Sequence, residues 1–189
     1  EHRYFVPASN TKLWTMYTGL KYLGDSLVAG YLAPGENGSA RFRSNGDPTF
    51  LHRDYKHQPL ADALKKYNTI QWQNAAMRTT EYGNGWSWND YDATYMAPRS
   101  SLPMFGNVVS FSLKDGQVST EESIHTAFVS PGTEGVKTTG FSVYRKFDDP
   151  MFSIGSGPSK NQSTTLYLSP DANLKLASAY FKNTWLTEA

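Results

Sequence analysis

The chain of 189 residues carries 18 Lys and Arg against 17 Asp and Glu, a formal charge of +1. A balance this close to zero offers no global attraction to nucleic acid, whose phosphates demand a clustered basic face; 14% aromatic residues exclude a disordered chain, which lacks the apolar side chains that offset ordering entropy. No run reaches the ~18 apolar residues of a membrane-spanning helix, and with no cysteine there are no disulfides, thiolate nucleophiles or Cys-based zinc sites.

The opening Glu1-His2-Arg3-Tyr4-Phe5-Val6 has neither an initiator Met nor the basic-then-apolar pattern of a signal peptide, and reads as a processed or trimmed start. From Asn10 onward, Leu13, Met16, Tyr17, Leu20 and Leu23 recur at three- and four-residue spacing. That spacing predicts a half-buried helix, with Gly24 as its left-handed C-terminal cap. Segment 31–106 is mixed and loop-rich. It carries a predicted helix over 59–67, with Leu60, Ala63 and Leu64 on one face, and turn signals at Gly46-Asp47-Pro48-Thr49 and Gly83-Asn84-Gly85-Trp86. At Val108 the pattern changes to strands: Val108-Val109-Ser110-Phe111-Ser112-Leu113 runs through the turn Lys114-Asp115-Gly116 into Gln117-Val118. Further β-rich stretches are expected at 124–129, 140–145, 151–154 and 164–168, separated by Pro131-Gly132, Asp149-Pro150 and Gly155-Ser156-Gly157-Pro158. Ser169-Pro170-Asp171 opens a last helix with an N-cap, a first-turn proline and an acid beside the positive end of the dipole. Its predicted apolar stripe is Leu174, Ala177, Phe181 and Trp185. No internal repeat or low-complexity tract is present, and the predicted class is α+β with inserted subdomains.

Ser9-Asn10-Thr11-Lys12 is the sole Ser-x-x-Lys of the chain. Residues three apart share a helix face, so Ser9 and Lys12 would meet one turn apart. The same face continues into Leu13, Met16 and Leu20, which should be buried; a lysine there would lose hydration, and its neutral amine could take the serine proton. The alternative is a serine that caps the helix and a lysine whose stem lies along the surface. Spacing alone leaves both open. His2, His52, His57 and His125 form no metal-binding pattern and read as surface histidines. Gly155-Ser156-Gly157 lacks the spacing of a nucleophile elbow. Trp72, Trp86 and Trp88 could stack on a ligand or pack in a core, and Asp90 could hold a cation beside them or form a turn.

Several segments resemble one family. Tyr4-Phe5-Val6-Pro7-Ala8-Ser9-Asn10-Thr11-Lys12-Leu13 is similar to the active-site opening of class C low-molecular-mass penicillin-binding proteins, the D-alanyl-D-alanine carboxypeptidase/endopeptidases. Gly46-Asp47-Pro48-Thr49-Phe50, Gly83-Asn84-Gly85-Trp86-Ser87-Trp88-Asn89-Asp90-Tyr91, and Tyr95-Met96-Ala97-Pro98-Arg99-Ser100 leading to Gly106-Asn107 fit the same family in the same order. The resemblance implies part of a transpeptidase/β-lactamase-like catalytic domain with inserted mixed α/β and β-rich subdomains. Residues 1–30 would start the catalytic domain, 31–106 form the first insert, 107–160 a nested β-rich insert, and 161–189 the return of the first insert towards the catalytic domain. It also implies Ser9 as nucleophile, Lys12 as its base and the Ser9 N–H as one oxyanion donor, with Asp90 and Tyr95 contacting the free amine of the substrate's diamino acid.

The family's later elements, a Ser-x-Asn triplet and a Lys-Thr-Gly strand, have only look-alikes here. Ser87-Trp88-Asn89 and Ser159-Lys160-Asn161 lie within insert-like sequence, and Lys137-Thr138-Thr139-Gly140 has an extra residue. The resemblance therefore implies the front portion of a larger enzyme, weak or inactive as it stands. That enzyme would trim peptidoglycan stem peptides through an acyl-enzyme, be inhibited by β-lactams, need no metal or organic cofactor, and reside in the periplasm or cell envelope; homo-oligomerisation stays open. A non-catalytic envelope module that holds muropeptides through Asp90 and the tryptophans is the alternative. A plain β-lactamase shares the Ser-x-x-Lys chemistry but leaves the long inserts without a role.

Overall fold

The computed structural model describes residues 3–74, 77, 79–133 and 139–187. In chain order its strands are β1 Gly30–Pro34, β2 Ser39–Ser44, β3 Thr69–Gln73, β4 Val108–Lys114, β5 Gln117–Thr120, β6 Phe141–Arg145, β7 Phe152–Ser156, β8 Asn161–Thr165 and β9 Thr184–Thr187; its α-helices are α1 Thr11–Leu23, α2 Pro59–Leu64 and α3 Pro170–Phe181. The class is α+β.

Helix α1 forms where the periodicity places it, after a 3₁₀ turn Ala8–Asn10. Its burial does not follow. Every α1 residue except Gly19 is exposed, and Leu13, Met16 and Leu20 keep 56–61% of their surface in solvent. The expected half-buried face is thus bare, because no described element packs on it. Gly24 has φ 81° and ψ −163°, so it turns the chain through a positive φ without closing a left-handed cap.

The largest sheet has the order β1-β2-β3-β9. β1 and β2 are antiparallel, whereas β3 runs parallel to both β2 and β9. The alternation of β2 sends Ala40, Phe42 and Ser44 inward and Arg41 and Arg43 outward, while β3 buries Ile70 and Trp72. The Trp72 indole donates to Ser44 Oγ at 3.1 Å, so a polar handle in the core is satisfied. Helix α3 starts as predicted: Ser169 Oγ accepts from the Ala172 N–H at 3.2 Å, and Pro170 fills the first turn. It ends sooner than the predicted stripe requires. Lys182 adopts a left-handed conformation (φ 54°, ψ 37°), and Trp185 is buried from β9, stacked on Phe181 at 5.6 Å. The buried apolar residues of α3 are Ala172, Leu176 and Ala177. Helix α2 closes at Leu64, a few residues short of the predicted 67.

The β-rich part has a three-stranded antiparallel sheet, β5-β4-β8, and a β6-β7 hairpin. The β4–β5 turn uses Asp115 (φ 54°) and Gly116 (φ 76°), the paired positive φ of a tight hairpin. One expected strand is absent. Residues 124–129 mostly form the 3₁₀ helix Ser123–Phe128, in which His125 and Phe128, three apart, point inward. The Thr126 hydroxyl donates to the Ser123 carbonyl at 2.7 Å, a local bond that competes with strand pairing. Phe111, Phe128, Phe141 and Phe152 continue the same core as Phe42 and Trp72, so no solvent layer divides the sheets.

Candidate functional site

Ser9 lies in the 3₁₀ turn and Lys12 in the first turn of α1. The turn is set by the Asn10 N–H donating to the Pro7 carbonyl at 3.0 Å and by the Thr11 hydroxyl donating to the Ala8 carbonyl. Ala8, immediately before Ser9, has φ 45°, a conformation that side chains other than glycine rarely adopt and that clusters at functional sites. Ser9 and Lys12 are both exposed, and no hydrogen bond joins their side chains among the described residues. The apolar crevice expected to dehydrate Lys12 is not formed by those residues, since Leu13, Met16 and Leu20 face solvent.

Asp90 and Tyr95 do come together. Asp90 ends the 3₁₀ turn Trp88–Asp90, and Tyr95 is central in a second, Thr94–Met96. The Asp90 N–H donates to the Ser87 carbonyl at 3.0 Å, the Ala93 N–H to the Asp90 carbonyl at 2.9 Å, and the Met96 N–H to the Ala93 carbonyl at 2.8 Å. These consecutive turns fold the chain back on itself, and buried Met96 pins the second one. The Tyr95 phenol's pKa is raised above its ordinary value, first by hydrogen bonding towards the Asp90 carboxylate and then by desolvation and the charges of Asp90 and Asp92. A carboxylate next to an exposed ring suits an ammonium group: the anion pairs with the charge and the ring face attracts it.

Behind this loop stands Arg145, a residue the sequence reading passed over. It is buried and spans three segments. Its Nε donates to the Thr165 carbonyl at 2.9 Å, Nη2 to Thr165 Oγ1 at 2.9 Å and to the Tyr91 carbonyl at 3.3 Å, and Nη1 to the carbonyls of Lys146 and Phe147, each at 2.8 Å. Tyr91 returns a bond from its phenol to the Arg145 carbonyl at 2.6 Å, and its ring lies 5.2 Å from the guanidinium. Among the described residues no carboxylate pairs with Arg145; oxygens of backbone and hydroxyl groups satisfy it. The available signal was the alternation of β6, which puts Arg145 inward with Phe141 and Val143.

The remaining candidates separate by burial. Trp72 is core, Trp86 is capped by the Arg99 guanidinium at 4.9 Å, and Trp88 is well exposed. His57 is exposed and His52 half-buried, but His125 is buried, correcting its reading as a surface residue. His2, Lys137 and Thr138 lie outside the described residues. Ser156 belongs to β7. In Ser159-Lys160-Asn161 the Ser159 N–H donates to the Phe141 carbonyl at 3.1 Å, Lys160 Nζ bonds the Thr139 carbonyl and Asn161 opens β8, all structural roles. A cavity of about 620 Å³ between Ser44–Pro48 and Ala97–Asn107 includes none of the four candidate residues. Among the described residues no three His, Asp or Glu side chains converge on a metal position, and no helix is long and apolar enough to cross a membrane.

Comparison with known proteins gives a consistent picture. The chain superposes on the crystal structure of penicillin binding protein 4 (dacB) from Haemophilus influenzae with a TM-score of 0.61 and 15% identity, covering 97% of this chain and 48% of that one. A second structure of that protein, complexed with a novel β-lactam, gives a TM-score of 0.56 and 13% identity, covering 97% of this chain and 46% of that one. At these identities the likeness shows the fold, and the chain spans about half the length of the structures it matches. No curated protein matches it. The sequence model of the D-Ala-D-Ala carboxypeptidase 3 (S13) family matches residues 1–185, nearly the whole chain. The chain therefore belongs to the D-Ala-D-Ala carboxypeptidase 3 (S13) family.

Proposed function

We propose that this chain is the front portion of a serine-type D-alanyl-D-alanine carboxypeptidase/endopeptidase acting on peptidoglycan stem peptides in the periplasm or cell envelope. The observation that carries the reading is the family match over residues 1–185 together with Ser9 and Lys12 at the entrance of α1. Ser9 Oγ attacks the scissile carbonyl while the Lys12 amine takes its proton. The peptide bond breaks, D-alanine leaves with a proton on its nitrogen, and water hydrolyses the ester to free Ser9. The Ser9 N–H, at the positive end of α1, supplies one oxyanion donor. A β-lactam acylates the same oxygen. Asp90 and Tyr95 hold the free amine of the diamino acid.

The bare side of α1 accords with a catalytic domain completed by further sequence, which would bury Leu13, Met16 and Leu20 and dehydrate Lys12. Residues 1–30 then start that domain, with 31–106 and 161–189 in the first insert and 107–160 nested in it. A binding module without catalysis is the second reading, favoured by the half-buried Asp90 beside the exposed Tyr95 and by the absence, among the described residues, of a Ser9–Lys12 bond. Both are tested in the full-length protein. Ser9→Ala is expected to abolish labelling by a fluorescent penicillin and to lower D-alanine release at least ~10³-fold. Asp90→Asn is expected to lower kcat/KM about tenfold, ~1.4 kcal/mol, for a peptide with a free side-chain amine and to leave its N-acetylated analogue unaffected. Unchanged trimming by Ser9→Ala would leave only the binding module.

A further inference from the structure

The 3₁₀ helix Ser123–Phe128 carries His125 into the interior with 2% of its surface exposed, and neither ring nitrogen has a hydrogen-bond partner. Buried polar groups are nearly always paired, so an orphaned imidazole points to something that joins it. Phe105 meets the ring edge-on at 5.1 Å and leaves both nitrogens unsatisfied. His125 lines a cavity of about 340 Å³, at the lower end of the ~300–1,000 Å³ of small-molecule sites.

The chemistry of the walls narrows the occupant. Ser110 and Ser163, on neighbouring strands β4 and β8, place their hydroxyl oxygens 3.0 Å apart on one side, and Thr94 adds a third hydroxyl at the rim. Arg53 is engaged by Glu121 at 3.3 Å and by Asp54 at 3.9 Å. With Glu122 also at the cavity, carboxylates outnumber the one permanent cation, which disfavours an anion. His52 also lines the cavity, and the interior His125 imidazole is uncharged, because burial lowers its pKa to about 4 against a weaker upward pull from Glu121. A neutral imidazole offers one donor and one acceptor. Hydroxyls and an uncharged imidazole match a ligand of hydroxyl and amide groups better than an ammonium, which only donates.

The position of the cavity connects it to the proposed substrate site. Thr94 directly precedes Tyr95, so the loop that presents the Asp90–Tyr95 pair also forms the cavity rim. We infer that this cavity is a subsite for the N-acetylated sugar to which the stem peptide is attached, holding it beside His125 while Asp90 and Tyr95 hold the peptide's amine. The inference rests on the stem-peptide reading.

The test uses the full-length protein with ¹⁵N-labelled histidine, carrying Ser9→Ala so that the peptides are not consumed, followed by NMR. The probes are an N-acetylmuramyl pentapeptide, the same pentapeptide without sugar, and lysine amide. The expected result is about tenfold tighter binding of the sugar-bearing peptide, with a saturable shift of the His125 ring nitrogens that the bare peptide does not cause. His125→Phe should remove that advantage. Thr94→Trp, which blocks the rim from the surface without touching the core, should do the same. Equal affinity for the two peptides, with binding still weakened by Asp90→Asn, overturns the sugar subsite and leaves the stem-peptide reading intact. Ring nitrogens that respond to lysine amide, or that show only a buried water, also overturn it. Failure of both peptides to bind overturns the stem-peptide reading and the subsite with it.

Discussion

Burial holds the His125 imidazole at a pKa of about 4 instead of 6.5, with the charge of Glu121 pulling weakly upward. Between those two values the unfolded chain binds a proton that the folded chain refuses, so this residue's contribution is intact above pH 6.5 and is lost as the pH falls towards 4. The expected loss between pH 7 and pH 4 is about 3 kcal/mol. Denaturant midpoints across that range should show it, and His125→Phe should flatten the profile in this window. Asp54, Glu121, Glu122, Arg53 and His52 face the same cavity, so the difference between wild type and variant is the quantity to read. Individual residues were unevenly legible in the sequence. Ser9, Lys12, Asp90 and Tyr95 came from motifs that resemble a family, whereas the burial of His125 depends on a 3₁₀ turn whose local hydroxyl bond outweighed its strand-like composition. Arg145 was hidden for another reason: its partners are carbonyls and a hydroxyl, some adjacent in the chain and others from distant segments, groups that leave no mark in a sequence.

Loops that hold ligands are accurate only when something rigid stands behind them. Here β6 and β8 support the Asp90–Tyr95 loop through Arg145 and through Thr164 Oγ1, which donates to the Asp92 carbonyl at 3.0 Å. Arg145→Met keeps the bulk and removes every donor, leaving the buried Thr165 carbonyl and several half-buried carbonyls without it, at roughly 1–3 kcal/mol for a fully buried group. The expected outcome is a loss of at least about 3 kcal/mol in chemical denaturation, with accelerated amide exchange around residues 90–95. Arg145→Lys should recover only part, since one ammonium cannot reproduce the planar fork. Elements whose ends are written locally were readable: the Asp115-Gly116 hairpin turn and the Ser169 cap with Pro170 lie where the residues indicated. Trp185 was misplaced because helical spacing continued past Phe181, while Lys182 in a left-handed turn sent the chain into β9.

At the scale of the molecule, the α+β class and its β-rich second half follow from the change in hydrophobic period near Val108. The burial of α1 was not predictable from this chain, because periodicity shows that a helix has an apolar side and not what lies against it. Leu13, Trp14, Met16, Tyr17, Leu20 and Leu23 form a contiguous exposed surface of the kind that drives association. The isolated chain is therefore expected to self-associate with rising concentration in sedimentation velocity. Met16→Gln with Leu20→Gln should reduce this association while leaving the melting temperature of the β-sheet core unchanged. The largest sheet carries a different consequence. Its edge strand β9 docks beside β3 only after the whole β-rich excursion has been threaded between them. Closing so long a loop delays the reward for ordering it. During synthesis, the flank of β3 that β9 finally covers stays open until β9 itself leaves the ribosome, which makes that interval a time when a chaperone would matter.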